Sequence, residues 1–136
     1  MAGVVAVLDD LFFGAKLQET ARRLEVPLIV LRTPQDVPAT VRQHRPTLLI
    51  VDLQSETCAP LEVIRGIKTD PDLRAIPVLG YFSHVRDDLK TAAADAGCDQ
   101  VLPRSAFSAR LPDILRRCTA ARDGDRVSGA PSGAAP

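Results

Sequence analysis

The chain predicts an α/β fold: a single doubly wound, five-stranded parallel sheet with helices on both faces. Two observations carry that expectation. Short, continuously apolar runs, such as Val4-Val5-Ala6-Val7-Leu8 and Leu48-Leu49-Ile50-Val51, suit strands buried on both faces, as in a parallel sheet covered by helices. Between such runs lie segments with apolar residues at helical spacing, and strictly alternating strand and helix patterns imply parallel βαβ units. The bulk properties agree. A chain of 136 residues, 46% apolar and 25% charged, has the composition of an ordinary globular domain with room for one core.

The elements follow in order. After the first run, residues 14–24 carry Leu17, Ala21 and Leu24 at helical spacing. Pro27 opens the second strand, Leu28-Ile29-Val30-Leu31. Thr33-Pro34 fits an N-cap followed by proline at the first helical position, and this helix should run to about His44 with Val37 and Val41 inward. Pro46 ends it before the third strand, residues 47–52. A loop, residues 54–60, leads to a helix bearing Leu61, Ile64 and Ile67, which Thr69-Asp70-Pro71-Asp72 breaks. Pro77-Val78-Leu79-Gly80-Tyr81-Phe82 is the fourth strand. Residues 87–96 should be helical, with Gly97 as a left-handed C-terminal stop. Val101-Leu102 makes a short fifth strand. Phe107, Leu111, Leu115 and Cys118 mark a last helix, with Pro112 tolerable only near its first turn. The expected division is a domain over residues 1–122 and a disordered Gly/Ala/Ser/Pro tail over residues 123–136.

Charge and cysteine usage narrow the function classes. Seventeen basic and seventeen acidic residues cancel, so no global field draws the chain to nucleic acid or to a membrane. Cys58, Cys98 and Cys118 form no CxxC and no metal spacing, which points to thiols in a reducing cytoplasm. No leader and no apolar run of about 18 residues is apparent, so a soluble, cytoplasmic protein is expected. His44 and His84 lie in different segments with no ligand at metal spacing. Arg110, Arg116, Arg117 and Arg122 of the last helix read as a solvated face. One of Phe12 and Phe13 should pack beneath the first helix.

The acids carry the chemistry. Asp9 and Asp10 close the first strand and Asp52 closes the third. Sheets of this kind bind ligands beyond the carboxyl ends of their strands. In the common flavodoxin-like order 2-1-3-4-5, strands one and three are neighbours, so three carboxylates meet at one edge. Gathered carboxylates repel unless they are protonated or share a cation. The expected feature is an acid-lined pocket suited to a divalent metal.

With these residues in place, roughly residues 3–120 resemble the receiver domain of bacterial two-component response regulators, of the chemotaxis-regulator type. Val7-Leu8-Asp9-Asp10 resembles the acidic pair after strand one. Pro46-Thr47-Leu48-Leu49-Ile50-Val51-Asp52-Leu53 resembles the strand ending in the phosphoacceptor aspartate. Asp70-Pro71-Asp72-Leu73-Arg74-Ala75-Ile76-Pro77-Val78 resembles the connection into strand four, and Ala96-Gly97-Cys98-Asp99 the turn before strand five. The resemblance implies that Asp52 accepts a phosphoryl group from a histidine kinase or phosphotransfer protein. It also implies that Asp9, Asp10, Asp52 and the Gln54 carbonyl hold Mg²⁺ weakly, and that output passes through contacts with a downstream protein partner.

The sequence departs from the family at the switch positions. Phe82 stands where receivers carry a Ser or Thr hydroxyl. Ser83 follows it, but successive strand side chains face opposite ways, so it is expected to point away unless the chain has already turned. Arg104-Ser105 stands in place of Lys-Pro, and Val101 in place of the aromatic switch residue. An arginine fork can pair with a phosphoryl group but is not equivalent to an ammonium. The expectation is therefore a stand-alone receiver-like protein, not an enzyme, with phosphoacceptor Asp52 and a degenerate switch. The alternative is a pseudo-receiver that works as an interaction module without phosphorylation. A flavin protein or enzyme on the same fold is disfavoured, because the acidic edge repels a cofactor phosphate.

Overall fold

The computed structural model describes residues 3–83 and 87–127, with side chains through Cys118. Among these residues, five parallel strands form one sheet in the order β2-β1-β3-β4-β5: β1 (Val4–Val7), β2 (Leu28–Leu31), β3 (Leu48–Asp52), β4 (Val78–Phe82) and β5 (Gln100–Pro103). The helices are α1 (Leu11–Arg23), α2 (Val37–His44), α3 (Pro60–Thr69), α4 (Asp87–Ala96) and α5 (Arg104–Val127). The flavodoxin-like architecture expected from the alternation is the one observed.

Strand residues alternate between two apolar layers. Val4, Ala6, Ile50, Leu79 and Tyr81, with Leu8 just past β1, pack with Phe13, Leu17, Phe107, Leu111 and Leu115 of α1 and α5. Val5, Val7, Leu49, Val51, Val78 and Phe82 pack with Val41, Ile64, Ile67 and Ala93 of α2, α3 and α4. Burial on both faces explains why β1 and β3 read as unbroken apolar runs. The register fixes the site: Val7 lies beside Val51, and Asp52 beside Tyr81.

Several element boundaries differ from the expectation, each for a local reason. Helix α1 begins at Leu11, because the Asp10 carboxylate accepts the Phe13 amide at 3.1 Å and caps it. Thr33 does not cap a backbone amide; its hydroxyl donates to Asp36 Oδ2 at 2.8 Å, and residues Pro34–Asp36 form one 3-10 turn before α2. Helix α2 stops where Arg45 takes a left-handed conformation, φ 47°. Helix α5 follows β5 directly, so Pro112 lies inside the helix and not near its first turn. Proline there cannot donate to the carbonyl one turn back; the packing of Phe107, Leu111 and Leu115 into the core holds the helix across it. The backbone of α5 continues to Val127. The remainder of the expected tail and His84 lie outside the described residues.

Gly97 is the helix stop anticipated, with φ +108°, and a Cβ there would meet the Lys68 side chain at 2.7 Å. Gly80 serves packing instead: a Cβ would lie 2.9 Å from the buried Leu53 side chain.

Candidate functional site

The carboxyl edge of the sheet brings Asp52, Asp9 and Asp10 near one another, as the strand order requires. Asp52 ends β3 half-buried, and its Oδ1 accepts the Gln54 amide at 3.0 Å, which turns the chain sharply after the strand. Burial is the main force holding the Asp52 carboxyl above its usual range. The charges of Asp9 and Asp10 push the same way, and the Gln54 amide and Arg104 push back. Asp9 is exposed and Asp10 half-buried.

Asp10 is already engaged twice. One oxygen caps α1; the other pairs with Arg104 Nη2 at 3.1 Å. Arg104 is the first residue of α5, and its guanidinium carbon sits 4.3 Å from the centre of the Phe13 ring. Its Nη1 reaches the Ser83 hydroxyl at 3.4 Å. A cation at a helix N-terminus opposes the helix dipole, so the acids and the ring face offset that cost. The tethered guanidinium therefore sits on the acidic edge. Among the described residues, no group of three acidic, histidine or cysteine side chains is close enough to hold a metal ion.

The switch positions resolve as follows. Phe82 ends β4 at 2% exposure, in the layer facing α3 and α4. The strand stops there, and Ser83 lies in a bend with its amide donating to Gln54 Oε1. Its hydroxyl does not point away as the strand alternation suggested, because the chain has turned out of the strand and it meets Arg104. Val101 is half-buried against the same layer as Phe82.

Two aromatic positions were less legible. Phe13 is the buried member of its pair, while Phe12 is 90% exposed beside the 61% exposed Leu11. Tyr81, unremarked as a site residue in the sequence, stands next to Asp52 in register. Its ring packs on Phe107 and on Phe13, each at 5.1 Å between centroids. The signal that could have found it was its parity: in this strand order it shares a face with Asp52. An open cleft of about 520 Å³ beside these groups is lined by Phe12, Phe13, Lys16, Ser83, Arg104, Ser105 and Ser108. Lys16 of α1 donates to Ser108 of α5 across it.

The doubly wound fold and its acidic edge have counterparts among known proteins. No family model matches the chain. The polar-differentiation response regulator DivK of Brucella anthropi is 30% identical over 75 residues, 55% of this chain and 61% of that protein. The match therefore spans less than two thirds of the length of this curated relative. Among solved structures, the phosphorylated cyanobacterial phytochrome response regulator RcpA superposes with a TM-score of 0.66 at 25% identity, covering 85% of this chain and 89% of its own. The Mn²⁺-bound response regulator Rcp1 gives 0.64 at 23% identity, covering 82% and 91%; this likeness bears on the fold. The chain shares the fold of response-regulator receiver domains and is similar in sequence to one such regulator over 75 residues. No helix among the described residues is long and apolar enough to cross a membrane.

Proposed function

We propose that Asp52 is the phosphoacceptor of this domain and that signalling proceeds from it through protein contacts. The observation that carries the reading is the position of Asp52. It is a half-buried carboxylate at the end of the third strand of a 2-1-3-4-5 sheet, with Asp9 and Asp10 close enough to raise its proton affinity. In the transfer, a carboxylate oxygen of Asp52 attacks the donor phosphorus. An acyl phosphate bond forms and the bond from phosphorus to the donor atom breaks, an imidazole nitrogen in a phosphohistidine or an oxygen in acetyl phosphate, and the donor leaves with its electron pair. A histidine kinase or phosphotransfer protein would be the donor in the cell, and the partner downstream would be a protein.

The donor set is all oxygen, the chemistry Mg²⁺ prefers, so Asp9, Asp52 and the Gln54 carbonyl would hold it, with Asp10 joining once Arg104 lets go. Bound there, the ion would neutralise charge on the transferring phosphoryl group. Support for a divalent ion of this kind comes from the Mn²⁺-bound relative. The Arg104 pair with Asp10 means that binding should be weak.

Intact-mass spectrometry after incubation with acetyl phosphate and Mg²⁺ tests the assignment. One phosphoryl group is expected on the wild type and none on Asp52→Asn. A modified Asp52→Asn protein would remove the assignment. The second reading, an interaction module that does without phosphorylation, is favoured by one observation, the pre-existing Arg104–Asp10 pair. An unmodified wild type would select it.

A further inference from the structure

We propose that the Tyr81 hydroxyl is the hydrogen-bond donor to the group Asp52 carries on activation, supplying the hydroxyl that position 82 lacks. The inference rests on the Asp52 assignment and adds a positioning residue to it.

The register places Tyr81 directly beside Asp52. Alternation puts both on the same face of the sheet: Ile50 and Leu79, two residues back in each strand, belong with Tyr81 to the layer under α1 and α5. Phe82 lies in the opposite layer. Tyr81 is 1% exposed, and its hydroxyl is buried with no hydrogen-bond partner among the described residues. A buried polar group without a partner is costly and rare, and such cases call for a functional account. The ring is not free to swing toward another partner. It is stacked on Phe107 at an interplanar angle of 18° and tilted against Phe13, both carried on the first turns of their helices.

Electrostatics favour the donor role. A phenol keeps its proton at neutral pH, and this one is buried without an acceptor. The carboxylate alone does not hydrogen-bond to it. A phosphoryl group extends Asp52 by three acceptor oxygens and a further negative charge. That extension offers the buried hydroxyl its missing partner.

The chain contains one tyrosine and no tryptophan, so intrinsic fluorescence reports Tyr81 alone. The full chain would be titrated with beryllofluoride and Mg²⁺, with fluorescence followed in the wild type. Bound fluoride would be followed by ¹⁹F NMR in the wild type and in Tyr81→Phe, which keeps the ring and removes only the hydroxyl. Expected are a saturable fluorescence change in the wild type and beryllofluoride affinity at least roughly tenfold weaker in the variant. The thermal stability of Tyr81→Phe should be equal to or above that of the wild type, since an unpartnered buried hydroxyl is gone. Equal affinity in the two proteins would overturn the proposal while leaving Asp52 intact. So would affinity lost together with stability, which marks a merely structural role. A wild type that neither binds beryllofluoride nor gains mass from acetyl phosphate would overturn both this proposal and the Asp52 reading.

Discussion

Replacing Arg104 with glutamine tests whether a tethered guanidinium stands in for a metal at the acidic edge. The substitution keeps much of the length and removes the charge. Three contacts are at stake: the 3.1 Å pair with Asp10, both side chains about one-third exposed, the 4.3 Å approach to the Phe13 ring, and the long 3.4 Å bond to Ser83. A pair this exposed is worth roughly 0.5–1 kcal/mol after solvent screening. A cation over a ring face adds about 0.5–1 kcal/mol, and the long hydrogen bond adds little. Arg104→Gln should therefore cost about 1–2 kcal/mol, or roughly 3–10 °C in Tm for a domain of this size. Removing a competing cation of that strength should raise Mg²⁺ affinity about 5–30-fold. Thermal denaturation at several Mg²⁺ concentrations reads both effects, because bound metal adds stability by mass action. Metal should thus protect the variant more than the wild type. A double-mutant cycle with Phe13→Leu isolates the ring contribution. An Arg104→Gln protein with unchanged Tm and unchanged Mg²⁺ affinity would refute the reasoning.

Two further predictions concern the same edge. Asp52→Asn should be more stable than the wild type near neutral pH. The native fold raises the Asp52 proton affinity, so the stability this group contributes is fully present below its unfolded pKa and is lost as pH rises through the raised folded value. Asparagine carries no such loss, so the Tm gap should close on acidification toward the ordinary carboxylate range; a gap that widens there would reverse the sign. The neighbouring phenylalanines should separate cleanly. Phe12→Ala, at 90% exposure, should stay within about 0.5 kcal/mol of wild type in chemical denaturation, whereas Phe13→Ala, at 4%, should cost about 3–5 kcal/mol.

The sheet was legible because its strands are buried on both faces, which writes them as unbroken apolar runs, and because strand-helix alternation admits few topologies. Asp9, Asp10 and Asp52 were legible for the same reason: once β1 and β3 are neighbours, residues ending both strands must share an edge. What the sequence concealed depends on events beyond one element. The start of α1 was set by a side-chain cap, and Asp10 looks the same in a sequence whether it caps a helix or faces a metal. The turn at Ser83 depends on where β4 stops pairing, which a period-two pattern does not encode. Arg104 was visible as a departure from Lys-Pro, but its partner was not, because Asp10 lies more than ninety positions away and meets it only when α1 and α5 pack side by side. Tyr81 passed for an ordinary strand aromatic until the register set the residue beside Asp52 and burial left its hydroxyl without a partner.

The position of Arg104 follows from chain connectivity, and that has a consequence for how the edge responds to charge. Because α5 starts immediately after Pro103, its first side chain is delivered to the strand ends without a flexible loop. It acts as a cation at high local concentration whatever the metal supply. Pairing with Asp10 and covering Phe13, it also works against the α5 dipole, so its present site is favourable only while the acids remain uncompensated. On the Asp52 reading, a phosphoryl group would offer the planar guanidinium a second, doubly charged acceptor that it can grip with two N–H groups. Arg104 would then be drawn between Asp10 and the new group, and any move toward the latter would uncover the Phe13 ring and release Ser83. The transmitting element in this chain would be that exchange of partners at Arg104, because Phe82 is locked into the opposite layer and has no hydroxyl to lend.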